Sequence, residues 1–183
     1  MICIVSIEFL STLFCRRIPF TLFGYFLSNS INVSMGEIGV ISAYGDQVAK
    51  IKSFISKTVT AEKANSMVAT LDSFQGQERN LILYSFTKSS KKKATLTRIG
   101  FLNELRRLNV AMSRCKKTLI MIGDMKFLSE CLYQETDEEG NKIYEHSEKE
   151  FSDFISKMIR DVEDGRGELM SYKTFTERIS LNG

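Results

Sequence analysis

From position 38 onward, apolar residues come in short unbroken runs, and between those runs they recur at helical spacing. Ile38 to Ile41 is one run, stopped by Tyr44-Gly45-Asp46; Met67 to Leu71, Leu81 to Phe86 and Leu119 to Ile122 are others. Continuous runs, unlike alternating ones, suit strands of a parallel sheet covered on both faces. Val48, Ile51 and Ile55 predict a helix over 46–57 with Asp46 as its cap, and Phe101, Leu105, Leu108 and Met112 predict a second helix. Strands alternating with helices in this way argue for an α/β layer fold with right-handed crossovers. Past Gly123-Asp124 the pattern predicts a short helix through Leu132 and an acidic, Gly-containing loop over 135–141. An S-x-x-E capping box at Ser147–Glu150 then opens a helix whose apolar face is Phe151, Phe154, Ile155, Met158, Ile159 and Val162. That face is assigned to core packing, with docking of a partner as the alternative.

The first 27 residues differ in character. They are rich in Ile, Leu and Phe, interrupted by Glu8 and Arg16-Arg17. Their positive charge follows the apolar run, where a signal peptide would place it before. Neither piece holds the roughly 20 apolar residues that a spanning helix needs. Three readings stay open: a buried strand or helix, a membrane-associating stretch, or a segment not native to the domain. The Ser-, Asn- and Gly-rich change near Asn29–Glu37 marks a boundary. The expected organisation is therefore an apolar segment over 1–34, an α/β domain over 35–132, and an acidic loop with an amphipathic helix over 133–183. On this division a chain starting near Ser34 keeps the same thermal transition.

With 183 residues and 43% hydrophobic content, one domain with a real core is within reach. The net charge of +3 matters less than its distribution. Ten Lys or Arg fall between 88 and 117 against Glu104 alone, whereas eight acids fall between 135 and 153 against Lys142 and Lys149. A basic block of this kind serves polyanions or is a solvated face. The four cysteines (Cys3, Cys15, Cys115, Cys131) show no C-x-x-C spacing, and His146 is the lone histidine. Neither zinc nor a disulfide framework is expected, and free thiols fit a reducing cytoplasm.

Three segments carry chemistry. Val68-Ala69-Thr70-Leu71-Asp72-Ser73-Phe74-Gln75-Gly76-Gln77-Glu78 is a strand-like run closing in a polar Gly turn. Arg106-Arg107-Leu108-Asn109-Val110-Ala111-Met112-Ser113-Arg114 spaces Arg107 and Arg114 two helical turns apart, where guanidinium groups can reach a phosphate. Ile38 to Gln47 is a strand ending in Ser42-Ala43-Tyr44-Gly45-Asp46-Gln47. The three resemble, in order and at compatible spacing, motifs of the C-terminal motor domain of superfamily 1 helicases, in the nonsense-mediated-decay and DNA-replication helicase group. The first is similar to V-x-x-(V/L)-D-x-F-Q-G-x-E and the second to R-R-x-N-V-A-x-T-R-A, with Ser113 for Thr and Cys115 for Ala. The third is similar to T-P-Y-x-x-Q, with Ser42 for Thr and Ala43 for Pro. The likeness covers about residues 36 to 130.

The resemblance implies a RecA-like P-loop NTPase fold of the second motor domain, three-layer αβα with a parallel sheet. It implies Arg114 as an arginine finger on the γ-phosphate, Arg107 as an orienting residue, and Gln75, Gly76 and Glu78 at the nucleotide, with Glu78 on the ribose. Ser42, Tyr44, Thr70 and Asp72 become candidates for a nucleic-acid backbone, DNA or RNA. Taken singly, Gly76 is also a turn residue, Glu78 a surface acid and Arg107 a salt-bridging helix residue. No G-x-x-x-x-G-K-[ST] loop occurs in the sequence, so ATP and Mg2+ would be bound mainly by an N-terminal motor half in cis or in trans. The expected function is the C-terminal half of an ATP-dependent helicase, a fragment inactive alone, without metal ligands of its own or stable membrane association. Two alternatives stand beside it: a non-catalytic nucleic-acid-binding or regulatory module, and a structural subunit completing a split motor.

Overall fold

The computed structural model describes residues 2–6, 34–86, 105–124, 135–136, 139, 142–143, 154–155, 157–158, 160–171, 173–174 and 177. Its centre is a parallel sheet. The strands are β1 (Ile2–Ser6), β2 (Ile38–Ser42), β3 (Val68–Thr70), β4 (Arg79–Ser85), β5 (Cys115–Gly123) and, last in this sheet, β8 (Gly167–Ser171). They lie in the order β3-β2-β4-β5-β1-β8, and every neighbouring pair is parallel. Between β5 and β8 in the chain, β6 (Glu135–Thr136) and β7 (Lys142–Ile143) form a separate antiparallel pair, where an acidic loop is expected.

Burial explains why the apolar runs become strands. All five residues of β2 are buried, as are Leu81–Ser85 of β4 and Leu119–Gly123 of β5. Alternate residues Ile41, Ile82, Tyr84, Leu119 and Met121 share one cluster with Leu108 and Ala111 and with Ile155 and Met158. The residues of opposite parity, Val40, Leu83, Ile120 and Ile122, are equally buried, so both faces of the sheet are covered. An α/β RecA-like architecture follows.

Helix α1 (Gly45–Ile55) buries Val48, Ile51 and Ile55 as the spacing predicts. Its cap differs: Tyr44 holds the N-cap position without a side-chain bond, and Asp46 lies in the first turn. Favourable interaction with the helix dipole is what an acid there contributes. Helix α2 (Ala61–Met67) is capped by Thr60, whose hydroxyl accepts from the Lys63 amide; it is short and polar, and the apolar pattern missed it. Helix α3 (Leu105–Ser113) buries Leu108 and Ala111. The apolar face expected near the C-terminus does pack inward, since Ile155 and Met158 are buried and Phe154 and Val162 half-buried against the same cluster. The capping box at Ser147–Glu150 and the helix expected through Leu132 lie outside the described residues.

Ile2–Ser6 pairs with β5 from Ile2↔Leu119 to Ser6↔Gly123 and with β8 from Ile2↔Gly167 to Ser6↔Ser171. The sheet therefore takes strands from all three expected parts of the chain. Hydropathy could not separate a strand from its neighbours inside one long apolar segment.

Candidate functional site

The strand order reverses direction at β2. From β2 the chain moves outward to β3, whereas from β4 it moves the opposite way to β5, and ligands of open α/β sheets bind at the carboxyl ends beside such a switch point. Ser42 ends β2 there. It is fully buried, its hydroxyl donates to the Ser85 carbonyl at 3.4 Å and accepts from the Tyr44 amide at 3.5 Å, and its carbonyl accepts from the Leu71 amide at 3.2 Å. Ser42 thus ties β2, β4 and the two following turns together, and does not present its hydroxyl to solvent; its candidacy as a backbone contact becomes one of positioning. Tyr44 and Thr70 are half-exposed and Asp72 exposed beside it. The Thr70 and Ser73 hydroxyls lie 2.8 Å apart, and the Ser73 amide donates to Thr70 Oγ1 at 3.2 Å, which opens the turn that follows β3.

That turn carries the chain from the carboxyl edge of the sheet back to its amino edge. Phe74 anchors it, with 1% of its surface exposed. A Cβ at Gly39 would lie 2.7 Å from Phe74 Cζ, so the glycine in β2 leaves room for this ring. Gly76 takes φ +77, a left-handed conformation that a side chain disfavours. Gln77 closes the turn by donating Nε2–H to the Ser73 carbonyl at 3.3 Å. Arg79 then stacks over the Phe74 ring at 5.5 Å and donates to Gln77 Oε1 at 3.0 Å and the Glu78 carbonyl at 3.0 Å.

At the amino edge the turn meets the end of α3. The Arg79 amide donates to the Arg114 carbonyl at 3.0 Å, and Arg79 pairs with Cys115 at the start of the β4–β5 ladder. Lys116 Nζ lies 3.2 Å from Glu78 Oε2, both side chains about half exposed. Arg114 follows the last residue of α3 and does not continue its face. Its Nε donates to the Val110 carbonyl at 3.2 Å, one of those that a helix end leaves open, and its Nη2 to the Ser113 hydroxyl at 3.3 Å. Gln75, Gly76 and Glu78 are exposed at the same end of the turn. The backbone of Arg107 lies in α3, and its side chain is outside the described residues.

Burial pushes the Cys115 thiol above its ordinary range despite backbone hydrogen bonds that act the other way. Among the described residues no group of three His, Cys, Asp or Glu could hold a metal ion.

A family model described as an AAA domain matches residues 20–126, more than half of the chain. The chain belongs to this AAA domain family. It is similar to DNA polymerase alpha-associated DNA helicase A of Saccharomyces cerevisiae, 38% identical over 102 residues, 56% of this chain and 14% of that protein. It is also similar to Regulator of nonsense transcripts 1 of Dictyostelium discoideum, 41% identical over 97 residues, with 51% and 7% covered. Helicase sen1 of Schizosaccharomyces pombe is 39% identical over 94 residues, with 51% and 5% covered. This AAA domain is thus a superfamily 1 helicase motor domain of RecA-like fold, and it spans at most about one seventh of those relatives.

The helicase motifs named the candidate residues of this site. They left Phe74, Arg79 and Lys116 without roles, although Phe74 stood inside a quoted motif. The missed signal was an apolar residue placed in a polar turn, which has to be buried somewhere. Among the described residues no helix is long and apolar enough to cross a membrane.

Proposed function

We propose that this chain acts in the cytoplasm as the C-terminal motor half of an ATP-dependent superfamily 1 DNA or RNA helicase, against a phosphate-loop half supplied in cis or in trans. The observation that carries the reading is the bond from the Arg79 amide to the Arg114 carbonyl. It joins the end of the F-Q-G-x-E turn to the end of α3, so a carboxylate and a guanidinium from distant segments share one sheet edge.

The residues present fit the sugar and outer phosphate of ATP. Glu78 accepts from the ribose hydroxyls, Gly76 lets the backbone approach closely, and Gln75 couples the nucleotide edge to the nucleic-acid edge along the turn. Arg114 leaves its hold on Val110 and reaches the γ-phosphate, where a planar fork stabilises charge spread over the oxygens. Arg107 orients the end of α3. The phosphate-loop half holds Mg2+, whose chemistry is to neutralise the β- and γ-phosphates. At the opposite edge Tyr44, Thr70 and Asp72 meet the backbone of a single strand, with Ser42 holding their turns in place. Alone, the chain lacks the phosphate-loop Lys that such hydrolysis uses, and is inactive.

The test is to join the chain to a phosphate-loop half and to assay ATP hydrolysis with and without single-stranded nucleic acid. Stimulated turnover by the pair, none by the isolated chain, and an about tenfold rise in nucleotide Kd on Glu78→Ala are expected. Turnover by the isolated chain that disappears on Arg114→Ala would contradict the reading, as would a pair indifferent to Glu78→Ala.

A further inference from the structure

Outside β3, at one edge of the sheet, helices α1 and α2 and the 71–78 turn line a cavity of about 480 Å3. Its size falls within the range of small-molecule sites, about 300–1,000 Å3. Two cations line it, Lys52 from α1 and Arg79 from the start of β4, and no Asp or Glu does. Neither cation forms an ion pair among the described residues. The Arg79 side chain is half-buried, yet each of its acceptors is uncharged: the Gln77 side-chain oxygen at 3.0 Å, the Glu78 carbonyl at 3.0 Å and the Ser66 carbonyl at 3.5 Å. A partly desolvated cation without a counter-charge is costly, and a bound anion offsets that cost. The same three bonds and the Phe74 ring at 5.5 Å hold the guanidinium in place beforehand, so its charge is preorganised. The remaining wall is polar where it is accessible. Val48 and Val68 are buried, 7% and 0% exposed, and offer little surface to an apolar group. Asn65 is exposed, and the Thr70 and Ser73 hydroxyls stand 2.8 Å apart.

We propose that this cavity binds a small phosphorylated polyol of the sugar-phosphate class, its phosphate on Lys52 and Arg79 and its hydroxyls on Asn65 and the Thr70–Ser73 pair. A doubly charged phosphate matches two cations that no carboxylate neutralises, and hydrogen bonds between charged groups are the strong ones. Polyol hydroxyls need donors and acceptors together, which an amide and two hydroxyls supply. A nucleobase would find no apolar floor to lie on, and a bare phosphate would leave the amide and hydroxyls without partners. Such a site stands apart from the motor reading, in which Lys52 and Asn65 have no part.

The test is calorimetric titration of the full chain with glucose 6-phosphate, with glucose and inorganic phosphate as the two halves of that probe. Glucose 6-phosphate should bind with a Kd of about 1 mM or tighter, about tenfold or more below that of inorganic phosphate. Lys52→Met should weaken its binding by about tenfold, the scale of one charge-assisted contact. Asn65→Ala should weaken binding of glucose 6-phosphate and leave that of inorganic phosphate unchanged. Lys50→Met, at an exposed position of α1 outside the cavity, should change neither. On the unsubstituted chain, glucose 6-phosphate should protect Lys52 and not Lys50 from acetylation, a readout independent of whether any variant folds. No binding of glucose 6-phosphate, equal binding of inorganic phosphate, equal effects of the two lysine substitutions, or equal protection of the two lysines would overturn the site. Displacement of glucose 6-phosphate by a short single-stranded oligonucleotide would overturn it too, by returning the cavity to the path of the strand.

Discussion

Arg114 is held at both ends before any ligand arrives. Its carbonyl is fixed by the Arg79 amide, and its guanidinium by Val110 and Ser113 at the end of α3. The first tether sets where the side chain starts; the second is a pair of hydrogen bonds from the guanidinium to uncharged oxygens, which an anionic phosphate can outcompete. Arg114→Lys should therefore rescue little, because a point charge reproduces neither the fork nor the tether. The neighbouring Cys115 makes a separate prediction. Burial raises its pKa, and burial, with a smaller contribution from Tyr44, raises that of Tyr84 as well. Both groups are neutral when protonated and have folded pKa values above their unfolded ones. Their contribution to stability is thus complete below the ordinary thiol pKa of about 8.5 and is lost as pH rises. The urea midpoint should hold steady from about pH 7 to 8 and fall through pH 9 and 10. A midpoint that climbs over that interval would refute the assignment of both groups.

Among the elements, the 71–78 turn is the one on which the site depends. It has no strand partner to fix it, so Phe74 and the Gly39 gap beneath it supply the anchor. Phe74→Ala should cost about 3–5 kcal/mol, as for other buried aromatic deletions, measured from denaturant unfolding. A loss below about 1 kcal/mol would mean that the turn is held by its hydrogen bonds alone. The same scale shows what the sequence could and could not reveal. Strands β2, β4 and β5 were legible because their cores are continuous apolar runs. Their polar beginnings, Arg79-Asn80 and Cys115-Lys116-Lys117, were not, because backbone pairing rather than burial makes them strand. Helix α2 escaped because only Ala64 and Met67 of its residues are buried.

For the whole molecule, the decisive feature is the place of Ile2–Ser6 between β5 and β8. A chain starting at Ser34 would expose the edge of β5 and leave β8 without a neighbour. It should unfold at lower temperature and with a broader transition than the full chain, and an unchanged transition would show that β1 is dispensable. Sequence motifs marked both groups of candidate residues, since each lies in short contiguous segments. They could not show that the groups stand at opposite edges joined by one turn, because that depends on pairing between residues as distant as Arg79 and Cys115. The account as a whole stands on Arg114. Single-turnover ATP hydrolysis by the chain joined to a phosphate-loop half, with and without Arg114→Ala, measures it most directly. The account predicts a fall of about 10³-fold or more in rate with nucleotide affinity changed only slightly; a rate that stays the same would contradict it.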